Sequence, residues 1–480
     1  MCRQRAALVL ALGIVLLAPI WVVDYPPLFD YPNHLAGSFV LHHLNDPHFQ
    51  FSRFYRVEWT PAPYVVTDLM LLAVQRVVSV EQAGRILLSL CLLALPLGGL
   101  VFVRRANPGH DVLGLWGLVI AYHAFFLLGF VSYSLSIGIC FAAVGLWLRY
   151  LDRPSLILWT TLLGVVTALY FTHLMGFAVA GMVMTTYAVL ARRPARQLVL
   201  TALLFLPGAV LTLRSLTWVR GGSHALFDPP WQKSLVLFEF LRVDPVRIDP
   251  IVLGALAICA AIALWKNADL EWNRPWLGVA AVLCGLYWLL PFSVGDGSHI
   301  YGRVLPFLFL LIPALGRIGR RARWVAVALI CLFLLRTGYV ARHFVIDQPE
   351  MSNLVRSLGS IPVHARVLPV VGRLDRPRPL LTAHHHFWAY GVIRRGWLSP
   401  YLFAIPDVQP LRLRPDIWVP GRGRLGAEIS DWHRVQASYD YVWAYRAERY
   451  SMHLRPIGEL IFAQGDIEVY RMNRSAAADR

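Results

Sequence analysis

The stretch PYVVTDLMLLAVQRVVS, residues 63–79, is too apolar for an ordinary loop, yet it carries Asp68, Gln75 and Arg76. Whether it crosses a membrane sets the side of every later loop. Around it, apolar runs recur that are long enough to span ~30 Å of hydrocarbon. They lie near 6–23, 84–103, 112–130, 132–150, 155–171, 173–191, 196–213, 250–266, 275–292, 303–317 and 323–340. Charge parity then places 63–79. With Arg3 and Arg5 on the cytoplasmic side, a crossing at 63–79 sends Arg104-Arg105 outside. If the stretch lies along the surface instead, the basic loops at 104–105, 192–196 and 317–323 all fall inside, as the positive-inside rule expects. It is therefore read as a juxtamembrane helix, and the chain as an α-helical polytopic membrane protein of about eleven spans.

Composition agrees. Of 480 residues, 57% are hydrophobic and 15% charged, against about 25% charged in soluble domains. The net charge of +17 does not point to nucleic acid, because the arginines gather at the ends of apolar runs. No partner of that class is expected. The six cysteines, at 2, 91, 140, 259, 284 and 331, show no metal-ligand spacing, and disulfides carry no weight. The N-terminal run is read as an uncleaved first span.

This topology puts four segments on the outer side: the loop 24–83, the loop 214–249, the short loop 293–302 and the tail after about 340. The tail, 341–480, has no spanning run and is rich in Arg, Pro, His and Trp. ARVLPVV (365–371), YDYVWAY (439–445) and DIEVYRM (466–472) read as strands, and 349–359 as helix. Two domains are expected: a membrane domain over 1–340 that includes the outer loop, and a small soluble α/β domain over 341–480.

Three outer features can carry chemistry. In the first loop, Asp24, Asp30 and His34 fall close together among Pro26, Pro27 and Pro32, which stiffen the backbone. If a helix begins at Asn33, Asp30 sits at its mouth. A carboxylate there can act as a general base or a metal ligand, with His34 supplying a neutral nitrogen. It can equally cap the helix or solvate the loop. The second feature is GDGSHIYGRVLPFLFLLIPAL (295–315), where Arg303 stands at the entrance of a span with Asp296 and His299 nearby. Arginine at such a boundary either snorkels to headgroups or grips phosphate with its planar fork. The third is YFTHLMGF (170–177), where His173 lies between two spans, as a ligand or as a satisfied interhelical histidine. His123 is read as packing, and His384-His385-His386 as poor metal geometry. No phosphate-binding glycine loop, dinucleotide fingerprint or HExxH pair is present, so an enzyme of this plan draws its donor from the membrane.

The layout resembles the GT-C glycosyltransferases, polytopic enzymes that use polyprenyl-phosphate-linked sugars. The resemblance covers the whole plan: one span, an outer loop opening on an acidic motif, a juxtamembrane helix, a span beginning near Arg85 in AGRILLSL, the apolar core and an outer domain. Asp30 in FDYPNHLA matches the family's first-loop acidic residue, and DYPNHL is similar to a bacterial branch with an Asp-x-Pro-x-His pattern. Arg303 matches an arginine that precedes a late span and holds the lipid phosphate. HFWAYGVIRRGWLSPYLFA (386–404) also looks like that branch. The outer turn GFVSYSLS (129–136) lacks the second acidic residue many relatives place there.

The resemblance implies an inverting hexosyl- or pentosyltransferase in a bacterial inner membrane, with its N-terminus cytoplasmic. Asp30 and His34 would be catalytic, Arg303 would bind the donor phosphate, and Asp24, His173, Asp296 and His299 are further candidates. A divalent ion on Asp30 and His34 is the cofactor this reading allows. The acceptor, whether glycan, lipid or protein, stays open. A transporter or flippase would instead show ionisable residues at the midplane and paired broken helices, which the sequence lacks. A non-catalytic scaffold would tolerate loss of Asp30 and Arg303.

Overall fold

Proline and polar caps set where the helices start. The first turns of Tyr31–His42 and Arg274–Leu289 contain proline, which lacks the amide that a first turn leaves unpaired anyway. Ser155 accepts the Leu158 amide at 3.2 Å and opens Leu156–Thr172. His173 accepts the Met175 amide at 3.0 Å and opens Leu174–Leu190. The computed structural model describes residues 2–216, 225–241, 254, 271–295, 297–317, 322–372, 383–404, 408–421 and 428–473.

Among these residues, Val80–Ala106, Val131–Asp152, Ala195–Arg214 and Trp324–Ser360 are helical segments long and apolar enough to cross a membrane. Shorter apolar helices include Ala7–Trp21, Leu156–Thr172, Leu174–Leu190, Arg274–Leu289 and Gly302–Ala314. The chain is a mostly helical membrane protein. Within 63–79 the helix is Val65–Val74, of 10 residues. It rises about 15 Å, half of what a crossing needs.

The stretch 112–130 departs from the expected span. It breaks into a 3-10 turn Asp111–Leu115 and short helices Trp116–Val119 and Ala124–Leu127. His123 is extended and caps the last of these by accepting the Phe126 amide at 3.2 Å. Gly129 then takes a left-handed φ of 77°. An apolar run sets burial but not helix continuity, and these two residues end the run locally. The expected span 250–266 lies outside the described residues apart from 254.

The chain divides into two compact units. The first comprises Met1–Val22, Pro61–Thr67 and Arg85–Phe344. In it, Val80–Ala106 and Val131–Asp152 cross so closely that a Cβ on Gly98 would lie 2.0 Å from the Gly138 carbonyl oxygen. Small residues permit such approaches between apolar helices. Trp147 is fully buried and donates to Thr201 Oγ1 at 2.9 Å. By contrast, only 17% of the Ala195–Arg214 window is buried, and Leu203, Leu206 and Leu213 face outward. In water that surface would be costly; against lipid tails it is not.

The second unit comprises Val23–Thr60, Asp68–Gly84 and Val345–Arg480. The sequence assigns 24–83 to the membrane domain, whereas contacts group most of that loop with the tail. The unit holds a four-stranded sheet in the spatial order Val367–Val371, Tyr441–Tyr445, Ile467–Met472, Gly458–Gln464. The first pair is parallel and the others are antiparallel. All of Val367–Val371 is buried, and Pro369 is tolerated because this strand is at the edge. A second ladder pairs Tyr55–Val57 of the loop 24–83 with Leu411–Leu413. The Tyr55 hydroxyl donates to the Ser399 carbonyl at 2.6 Å and accepts the Ser399 amide at 3.0 Å.

Candidate functional site

The loop 24–83 presents its polar cluster from the first turn of Tyr31–His42. Asp30 is the N-cap residue, and its carbonyl accepts the amides of Asn33 and His34 at 3.1 Å each. Its carboxylate makes no cap hydrogen bond, so capping does not account for it. That carboxylate lies 3.4 Å from His386 Nε2 through Oδ1, with the two side chains 15% and 7% exposed. His34 packs edge-on against Phe403 with ring centroids 5.0 Å apart. His385 stacks on Phe29 at 4.9 Å.

Among the described residues, the imidazoles of His34, His385 and His386 lie around Asp30. Burial pushes His386 down to about 3. Burial, and then His386, push His385 down to about 3, with Asp30 opposing. Burial also lowers His34, again against the pull of Asp30. At His34 and His385 the Asp30 charge favours an imidazolium, but desolvation of the rings outweighs it.

This arrangement fixes a pH dependence. The unfolded chain takes up imidazole protons below about pH 6.5, while the folded rings refuse them down to about 3. The stability conferred by the neutral rings is complete above pH ~6.5. It is lost as pH falls toward ~3, at up to about 1.4 kcal/mol per pH unit for each ring. The unfolding temperature of the lipid-embedded protein should fall between pH 7.5 and pH 5, and fall less in the double variant His385→Gln/His386→Gln. Equal slopes in the two proteins would contradict the assignment.

The cluster around Arg303 belongs to the first unit. A 3-10 turn Gly302–Val304 carries Arg303 into Leu305–Leu311. Its guanidinium lies 4.5 Å from the Phe130 ring centroid and 5.7 Å from that of Tyr133, a cation–π setting. The Tyr133 hydroxyl donates to the Arg303 carbonyl at 2.5 Å. Arg303 Nη1 points at His173 Nε2 at 3.3 Å. Tyr64 takes a left-handed φ of 84° and sets its ring 4.7 Å from that of His173. A bulky residue rarely adopts that conformation outside a constrained site. His299 sits beside this group, with ring contacts to Phe125, Phe130 and Phe292. Burial, and then Arg303, push it down to about 4.

Asp30 and His34 thus gather in the second unit, and Arg303, His173 and His299 in the first. Asp24 is exposed, and its amide donates to Gln348 Oε1 at 3.1 Å. Asp296 lies outside the described residues. The sequence did not single out Asn33, Tyr64 or Tyr133, and it weighed His384-His385-His386 only as a metal triplet. The three rings part: His384 lies 3.8 Å from Glu350, His385 stacks on Phe29 and His386 faces Asp30. Among the described residues, no group of three or more His, Cys, Asp or Glu side chains is arranged to hold a metal ion.

No protein-family profile and no curated protein sequence matches the chain. Solved structures do. A crystal structure of ArnT from Cupriavidus metallidurans in the apo state superposes with a TM-score of 0.60 over 98% of each chain, at 12% identity. The chain has the ArnT fold. A second ArnT structure, bound to undecaprenyl phosphate, superposes with a TM-score of 0.53, again over 98% of each chain and at 12% identity. At that identity the likeness to ArnT is one of fold, and it runs the length of both chains.

Proposed function

We propose that this chain is an integral membrane glycosyltransferase that moves a sugar from a polyprenyl-phosphate donor to an acceptor hydroxyl at the outer face of a bacterial inner membrane. The observation that carries the reading is the meeting of Arg303 and His173. The Met175 amide lies 3.0 Å from His173 Nδ1, and the Arg303 guanidinium lies 3.3 Å from Nε2. A neutral imidazole has one lone pair, so it cannot accept both. With Nδ1 engaged at the helix start, an Nε2–H faces an Arg303 N–H. One anionic oxygen set against both donors resolves the conflict, and a phosphate provides it. Phosphate in an apolar, aromatic-walled setting fits a lipid-linked donor. The fold of ArnT, a GT-C glycosyltransferase crystallised with undecaprenyl phosphate, supports the same reading.

The bond changes balance simply. The acceptor oxygen attacks the anomeric carbon, the bond from that carbon to the phosphate oxygen breaks, and the polyprenyl phosphate leaves with the electron pair. Arg303 and His173 stabilise the growing negative charge. Asp30 takes the acceptor proton, with His34 beside it. Direct displacement inverts the anomeric centre. Both a hexose and a pentose satisfy this chemistry, and the acceptor is a glycan, lipid or protein hydroxyl.

The test is purified full-length protein in lipid with a panel of radiolabelled polyprenyl-phosphate sugars. Release of polyprenyl phosphate from at least one donor, dependent on an added envelope extract as acceptor source, is the expected result. A protein that binds and consumes none of the panel is not this enzyme.

A further inference from the structure

We propose that Asn33 is a positioning residue: its amide fixes His386 as the Nε2–H tautomer, and that N–H faces and orients the Asp30 carboxylate. The inference rests on the reading of Asp30 as the proton acceptor, but its structural half is testable without it.

Two backbone groups at Asn33 have fixed roles. The Tyr401 carbonyl can only accept, and the Phe403 amide can only donate. Asn33 places Nδ2 3.0 Å from the Tyr401 oxygen and Oδ1 2.8 Å from the Phe403 nitrogen. The amide orientation is therefore forced. The remaining Nδ2 hydrogen is directed at His386 Nδ1, 3.1 Å away, so Nδ1 must accept. The neutral ring then carries its proton on Nε2, the atom 3.4 Å from Asp30 Oδ1.

Neither partner has room to reverse this. Asn33 is fully buried and His386 is 6% exposed. Phe29, Phe403 and Trp388 wall the ring, with centroids at 5.3, 5.3 and 6.1 Å. A ring flip would put carbon where each nitrogen now makes its contact. Among the described residues, the other titratable groups that face His386 are Asp30, His34 and His385, and none of them competes for Nδ1. Asp30 and Asn33 are three residues apart at one helix start, so the carboxylate and the residue that orders its partner share one turn. A carboxylate held through Oδ1 does not have to be ordered again each time an acceptor arrives, which lowers the reorganisation needed for proton transfer.

The test uses full-length protein in lipid, labelled with ¹⁵N-histidine, with His386→Gln to assign the signals. Wild type should give a pyrrole-type Nε2 and a pyridine-type Nδ1 for His386. Asn33→Asp removes the donor and supplies an acceptor, and should switch the ring to Nδ1–H. With the donor panel, the same variant should lose about 10- to 100-fold in kcat, as supporting-shell changes do, with donor KM unchanged. A wild-type His386 that is Nδ1–H or mixed overturns the proposal even if the variant does not fold. So does an Asn33→Asp variant that keeps the Nε2–H signal, or one that loses KM rather than kcat. If wild type consumes no donor, the glycosyltransferase reading fails on its own, while the ¹⁵N signal still decides the tautomer.

Discussion

Asp30→Asn is expected to lower kcat by about 10²- to 10⁴-fold, the usual worth of a positioned general base, while donor binding stays at the wild-type level. The change is nearly isosteric. Asparagine is as good an N-cap as aspartate, and the Asp30 side chain makes no cap bond to lose. An asparagine oxygen can still accept from His386 Nε2–H. What disappears is the basic carboxylate. In the proposed mechanism donor binding falls to the group around Arg303 and His173, which does not include Asp30. Donor binding and single-turnover transfer therefore have to be measured separately. A variant within about tenfold of wild type in kcat would mean that Asp30 is not the proton acceptor. A variant that fails to bind donor would mean that the carboxylate acts on the donor instead.

The place of Asp30 at a helix start was legible in the sequence because its signal is local. Prolines, a helix start and a carboxylate before it all lie within a few residues. The strands Val367–Val371, Tyr441–Tyr445 and Ile467–Met472 were legible for the same kind of reason, through their β-branched and aromatic runs. Gly458–Gln464 was not. Most of its residues are exposed, and a register shift in its ladder between Val469 and Tyr470 breaks the alternation. Asn33 was illegible because its partners His386, Tyr401 and Phe403 are 353 to 370 residues away. Spacing within a motif cannot report such a contact. The histidine triplet was visible but was weighed as one unit, whereas the fold sends its three rings to three different partners. The run 112–130 shows the complementary limit: hydropathy reports which segments avoid water, and a histidine cap and a left-handed glycine decide where the helix stops.

Arg303→Ala is expected to weaken donor binding and to lower kcat by about 10²- to 10³-fold, the cost of losing a preorganised donor to a developing anion. Arg303→Lys decides what kind of residue Arg303 is. If the side chain only anchors the chain at the membrane boundary, lysine snorkels as well, and the variant behaves as wild type. If it grips phosphate beside His173, a point charge on a flexible stem cannot reproduce the fork, and most of the loss remains. The setting favours the second outcome. Phe130 and Tyr133 hold the guanidinium plane, and the Tyr133 hydroxyl holds the Arg303 backbone. His173→Phe supplies the last step, because it keeps a ring near Tyr64 and Tyr133 but removes Nε2–H. If one phosphate oxygen bridges the two donors, the Arg303→Ala and His173→Phe losses will not add, since either change alone breaks the same bridge. Additive losses would assign the two residues to different groups of the substrate.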